Sequence, residues 1–199
     1  MHLAACQDAG RADWGNLEYL MDTAFQAGLS VSELSMENIG WDGQHFVDLH
    51  LQQIQHLFKL YPWEWVWEES FAGFLQPQTE WIEPCWKMLL SNKAILIELW
   101  KRYPNHPLLL ETHAYDPQQH YAGKWVRKPI LAREGANIHI LQNNVDCGEA
   151  SGSFYFKDYD KYGYVMQRWV KTLLHQGMLP TLGLWMVGDE CAGMSICED

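Results

Sequence analysis

The apolar and polar positions along the 199 residues change period several times, and those changes outline the elements. His2-Leu-Ala-Ala-Cys6 is short and apolar, the pattern of a buried strand. From Asp13 to Ala27, Leu17, Leu20, Met21, Ala24 and Phe25 recur at i, i+3 and i+4, which predicts an amphipathic helix stopped at Gly28. Val31 to Leu34 reads as a second strand, so the opening segment predicts one parallel βαβ crossover. Phe46 to Leu60 places Val47, Leu51, Ile54 and Leu57/Phe58 on one stripe and is expected as a helix, interrupted at Tyr61-Pro62. Trp63 to Phe74 is expected to continue as helix, and its tryptophans, two apart, point to burial on several sides.

Trp81 to Trp86 reads as loop or edge strand around Pro84, and Ala94 to Arg102 as a helix ended by Tyr103-Pro104. His113 to Gly123 is polar and is expected as a connecting loop. Beyond it the chain becomes strand-rich: Lys124–Pro129, Ile138–Leu141, Tyr164–Trp169, Leu182–Val187 and Ala192–Ile196. Gly188-Asp189 fits a tight hairpin turn, while Asn143 to Gly163 is expected as exposed turns. The class predicted is α+β: a small α/β segment over residues 1–80, then an antiparallel-rich region over 81–199.

Candidate chemistry gathers around Trp125-Val-Arg-Lys-Pro-Ile-Leu-Ala-Arg-Glu-Gly-Ala-Asn-Ile138. It reads as strand, glycine-containing turn and strand, with cations at the turn. Gly135 has no Cβ and lets backbone N–H groups approach an anion, and lysine is a common point charge for phosphate. A lysine and a glycine beside a hairpin turn are also common without any ligand. The stretch lacks the two glycines and the Lys-Ser or Lys-Thr of a P-loop, and it lacks the dinucleotide fingerprint. Lys93 stands at the start of the 94–102 helix, where the dipole disfavours a cation but welcomes an anion.

Composition narrows the classes. Hydrophobic residues make up 48% and charged residues 20%, as in a globular chain, and the eleven tryptophans are read as packing. A net charge of −11 argues against a nucleic-acid or anionic-membrane surface, yet leaves room for a few cations in one cleft. No 18-residue apolar run and no basic-then-apolar leader occur, so the chain reads as soluble and unexported. Five cysteines without CxxC spacing suggest reduced, cytoplasmic thiols rather than disulfides or zinc. Among nine histidines, His45, His50 and His56 fall on the expected 46–60 helix without an HExxH arrangement, so no metal ligand is assigned.

Seven blocks in order carry a resemblance: Phe58-Lys-Leu-Tyr-Pro-Trp-Glu64, Glu83-Pro-x-Trp86, Ser91-Asn-Lys-Ala-Ile95, Tyr103-Pro-Asn-His-Pro107, Val126-Arg-Lys-Pro129, Arg133-Glu-Gly-Ala-Asn137 and Gly188-Asp-Glu-x-Ala-Gly193. Together they resemble the glutathionylspermidine synthase family of ATP-grasp ligases, over the C-terminal half of a full-length member. The resemblance implies an ATP-grasp-like fold, ATP and Mg²⁺ as cofactors, and an acyl phosphate intermediate attacked by an amine. Small-molecule carboxylate or peptide and amine or polyamine substrates follow from it. It also implies nucleotide-binding roles for Lys93, Lys128, the loop Gly135, Ala136 and Asn137, and Gln167.

Two departures accompany the resemblance. The family's metal-binding Glu-x-Asn-like block has no match here, so metal ligands are expected in a further N-terminal part, including a separately encoded half. The family's Gly-Ile-Arg-Glu-Asp block reads Ser195-Ile-Cys-Glu-Asp199, with Cys197 at the arginine position. Arg168, beside Gln167, is a candidate to compensate. No catalytic residue is assigned with Cys197 there, and the chain alone is expected to have little or no ligase activity. The alternative is a non-catalytic binding or scaffold protein derived from the ATP-grasp fold.

Overall fold

β1 (His2–Ala5) is buried along its whole length, and α1 (Arg11–Gln26) returns the chain along it to β2 (Ser32–Ser35). In this computed structural model, which describes residues 1–7, 11–75, 78–150 and 157–198, β2 runs parallel to β1 from His2↔Ser32 to Ala5↔Ser35. The expected βαβ crossover is present. Leu17 of α1 lies with Leu3 and Ala5 in one buried cluster, while Phe25, also on the predicted apolar stripe, is exposed.

Next come the small antiparallel pair β3 (Gly40–Trp41) and β4 (Phe46–Val47), then β5 (His56–Leu60), α2 (Trp63–Val66), β6 (Glu80–Ile82) and α3 (Met88–Ser91). β5 and β6 extend the parallel sheet to the order β2-β1-β5-β6. Strands covered on both faces need apolar residues on both. Leu3 and Ala5 face the α1 cluster, whereas Ala4, Leu34 and Leu57 join Phe46, Ile54, Trp63, Val66 and Trp81 in a second core.

The helix expected over 46–60 is not formed. Its apolar spacing also fits two strands separated by a turn, and pairing decides between them. Phe46 and Val47 pair with Trp41 and Gly40, and His56–Leu60 pairs with β1. Between them the Asp48 carboxylate accepts from the backbone N–H groups of His50 and Gln52 at 2.8 and 2.9 Å, a local bond that competes with helix. Leu51, predicted on the buried stripe, has φ 60° and is 80% exposed. His45, His50 and His56 therefore share no helix; His56 meets Glu80 at 2.9 Å. The 63–74 helix shrinks to the single turn of α2 and a 3₁₀ turn at Ala72–Phe74.

The chain divides into two compact units, Met1–Asn92 and Lys93–Asp199. The second holds α4 (Ile95–Arg102), β7 (Thr112–Ala114), β8 (Lys124–Pro129), β9 (His139–Gln142), β10 (Val145–Glu149), β11 (Tyr164–Arg168), β12 (Pro180–Val187) and β13 (Glu190–Glu198). Five of these strands form a sheet in the order β10-β9-β8-β11-β7, antiparallel throughout, and β12–β13 make a separate hairpin. The predicted strands and the turn at Gly188-Asp189 are present, in an α+β arrangement.

Two strands lie where loops were expected. β7 occupies three residues at the edge of the supposed 113–123 loop, and β10 pairs with β9 across Asn143-Asn144, both at positive φ, a two-residue hairpin turn. Residues 151–156 of the turn-rich stretch, and Asp199, lie outside the described residues. Among the described residues no helix is long and apolar enough to cross a membrane.

Candidate nucleotide site

Strand alternation sorts the side chains of the second sheet. Lys128 on β8 is paired with Val165 on β11, and Gln167, two residues further along β11, is paired with Thr112 on β7. Lys128, Gln167 and Thr112 therefore share one face of the sheet. Their neighbours Arg127, Met166 and His113 share the other.

On the first face the three residues form a polar chain across three strands. The Lys128 ammonium donates to Gln167 Oε1 at 2.7 Å. Gln167 Nε2 donates to Thr112 Oγ1 at 3.2 Å, and the Thr112 hydroxyl donates to Leu110 O at 2.9 Å. Gln167 and Thr112 are buried, Lys128 half-buried. Burial pushes the Lys128 ammonium below the ordinary lysine value, and among the described residues no carboxylate is ion-paired with it. A desolvated cation whose partner is a neutral amide keeps its charge for an incoming anion.

Lys93 is drawn to the exit of the same strand. Its backbone N–H donates to Ile130 O at 2.9 Å and its ammonium to Ala132 O at 2.9 Å, just past Lys128 on the chain. The 133–137 loop follows at once. Glu134, Gly135 and Asn137 all take positive φ (53°, 74° and 54°), and Ala136 N–H closes the turn onto Arg133 O at 2.9 Å. Gly135 lies at the exposed tip, and glycine alone adopts that backbone freely. Ala136 and Asn137 point inward instead, both buried, and Asn137 Nδ2 donates to Asp160 Oδ1 at 2.8 Å. Asp160 also accepts from the Tyr164 hydroxyl; burial and that bond push the phenol up to about 12.

The opposite face is an aromatic layer. The Arg127 guanidinium sits 5.4 and 5.1 Å from the ring centres of Tyr115 and Tyr164 and pairs with Asp146 at 3.5 Å. Arg168 lies there too, donating to Ala122 O at 3.0 Å with its guanidinium 5.1 Å from the Trp125 ring centre. It is therefore turned away from Lys128. Cys197 itself is exposed on β13, opposite Thr181.

Of the sequence-assigned residues, Lys93, Lys128, Gln167 and the 135–137 loop belong to one strand end or its sheet neighbours. Thr112 and Asp160 escaped the sequence reading: one sits on a three-residue strand without periodicity, the other in a polar stretch with no motif. Asp160 accepts from Asn137 and Tyr164, and among the described residues no group of three or more His, Cys, Asp or Glu side chains could hold a metal ion.

The architecture defines a class first. The fold is of the ATP-grasp type: the RimK domain ATP-grasp protein from Sphaerobacter thermophilus superposes with a TM-score of 0.57 over 98% of this chain and 72% of its own, at 12% identity. The chain belongs to the glutathionylspermidine synthase preATP-grasp family, whose model matches residues 1–199. A putative acid–amine ligase of Haemophilus influenzae is 46% identical over 204 residues, covering 100% of this chain and 52% of the relative. The trypanothione synthetase of Crithidia fasciculata is 26% identical over 179 residues, covering 78% of this chain and 27% of the relative. The chain thus spans about half the length of the first and about a quarter of the second.

Proposed function

We propose that this chain contributes the phosphate-binding strand and loop of an ATP-dependent carboxylate–amine ligase. The observation that carries the reading is the half-buried Lys128 ammonium, held by a neutral amide beside a small-residue loop, in a chain of this family. Bound there, ATP would supply the phosphoryl group that activates a carboxylate, which an amine then converts to an amide with loss of phosphate.

The chain's own part is electrostatic. Bringing a triphosphate and a carboxylate together is opposed by their like charges, so fixed cations and positioning matter more than a protein nucleophile. Lys128 would hold phosphate oxygens from the sheet and Lys93 from the strand exit. Gly135 would let backbone approach the phosphates, while buried Ala136 and Asn137 brace the loop from beneath. Gln167 would act on the nucleotide side of β11. Mg²⁺ belongs to this reading as the counter-ion of the triphosphate, with ligands unassigned among the described residues. The substrates are a small carboxylate or peptide and an amine or polyamine; the names of the relatives suggest this class. We place the protein in the cytoplasm, where its five free thiols stay reduced.

The test is ADP or ATP binding by calorimetry, with wild type and Lys128→Ala compared. Binding that is lost in the variant supports the reading; a wild type that binds neither nucleotide at millimolar concentration removes it. A second reading, a non-catalytic binding or scaffold protein, is favoured by Cys197 at the family's arginine position. Nucleotide turnover with an amine acceptor that rises in Cys197→Arg supports a ligase; binding without turnover in both supports the scaffold.

A further inference from the structure

Building on the nucleotide role of Lys128, we propose that Thr112 is a positioning residue: it turns the Gln167 amide oxygen toward Lys128, fixing the ammonium against a neutral acceptor and leaving its charge for a phosphate. Hydrogen-bond capacity carries the proposal. A hydroxyl has one proton, and Thr112 gives it to Leu110 O at 2.9 Å. Towards Gln167 the Thr112 oxygen can therefore only accept. The Gln167 end facing it, at 3.2 Å, must be the NH₂ group, and the end facing Lys128, at 2.7 Å, must be the carbonyl oxygen.

The reversed amide is doubly unfavourable. It would set an NH₂ group against an ammonium and an oxygen against a hydroxyl with no proton to offer. Thr112 never touches the phosphate; it acts through Gln167 on Lys128. A glutamate at 167 would also meet the ammonium with an oxygen, but it would neutralise the charge and set its second oxygen against the Thr112 oxygen.

The experiment uses the full chain with ¹⁵N-labelled lysine and glutamine. In wild type, NOEs are expected from the Gln167 Nε2 protons to the Thr112 methyl and not to the Lys128 ε-methylene; the reverse pattern overturns the proposal without any substitution. Thr112→Val keeps the shape but removes the hydroxyl. Lys128 should then titrate at lower pH, ADP should bind about tenfold more weakly, and Thr112→Ser should restore both. A Thr112→Val protein that titrates and binds like wild type overturns the proposal. Wild type that fails to bind ADP defeats the nucleotide reading alone, because the NOEs and the Lys128 titration still decide the role of Thr112.

Discussion

Gln167→Glu changes almost nothing in shape and reverses the electrostatics at Lys128. The carboxylate would stand where the amide oxygen now lies, 2.7 Å from the ammonium. A phosphate oxygen on the far side of that ammonium would sit about 6 Å from the new charge, a repulsion of about 3 kcal/mol at an effective dielectric of about 20. That corresponds to roughly a hundredfold loss in nucleotide affinity. Gln167→Met removes the hydrogen bond without adding charge and should cost only about tenfold. Calorimetric titration with ADP at low and moderate salt measures both, and added salt should narrow the gap between them. Equal or tighter ADP binding by Gln167→Glu would refute the reasoning.

Asp160→Asn should loosen the 133–137 loop, because the oxygen that accepts from both Asn137 and Tyr164 loses its charge and its bonds weaken. Its clearest readout is the Tyr164 phenol, which burial and the Asp160 carboxylate push up and which should titrate lower than in wild type in an ultraviolet pH titration. The sign follows from linkage: a phenol raised in the folded state contributes stability below the ordinary value of 10, and this is lost as pH rises through about 12. Asp48 gives the acid-side counterpart. Burial pushes its carboxyl up, but hydrogen bonds from Gln52, His2 and His50 outweigh this and hold it below the ordinary 3.8. That stability is present above 3.8 and disappears as pH falls through the lowered folded value, so Asp48→Asn should flatten acid unfolding followed by circular dichroism.

Where one periodicity had one structural solution, the elements were legible. β8 has its expected bounds, β11 ends one residue early, and α1 and β2 lie within two residues of expectation. The 46–60 stretch failed because Val47, Leu51, Ile54 and Leu57 satisfy a helical stripe as well as two strands. Only the partner strands β1 and β3, distant or unrecognised in sequence, decide between them. The site followed the same division. Lys93, Lys128 and the glycine loop were visible through ordered blocks of resemblance. Thr112 was not, because its importance lies in a pairing with Gln167 that spans 55 residues and exists only once β7 joins the sheet edge. Asp160 was hidden similarly, since Asn137, 23 residues away, becomes its neighbour through the fold.

A crystal structure with a non-hydrolysable ATP analogue tests the convergence of the two lysines most directly. The account expects phosphate oxygens about 2.8 Å from both Lys93 Nζ and Lys128 Nζ, with the Gln167 oxygen still on Lys128. A triphosphate bound elsewhere, with these two ammonium groups contacting none of its oxygens, would contradict it.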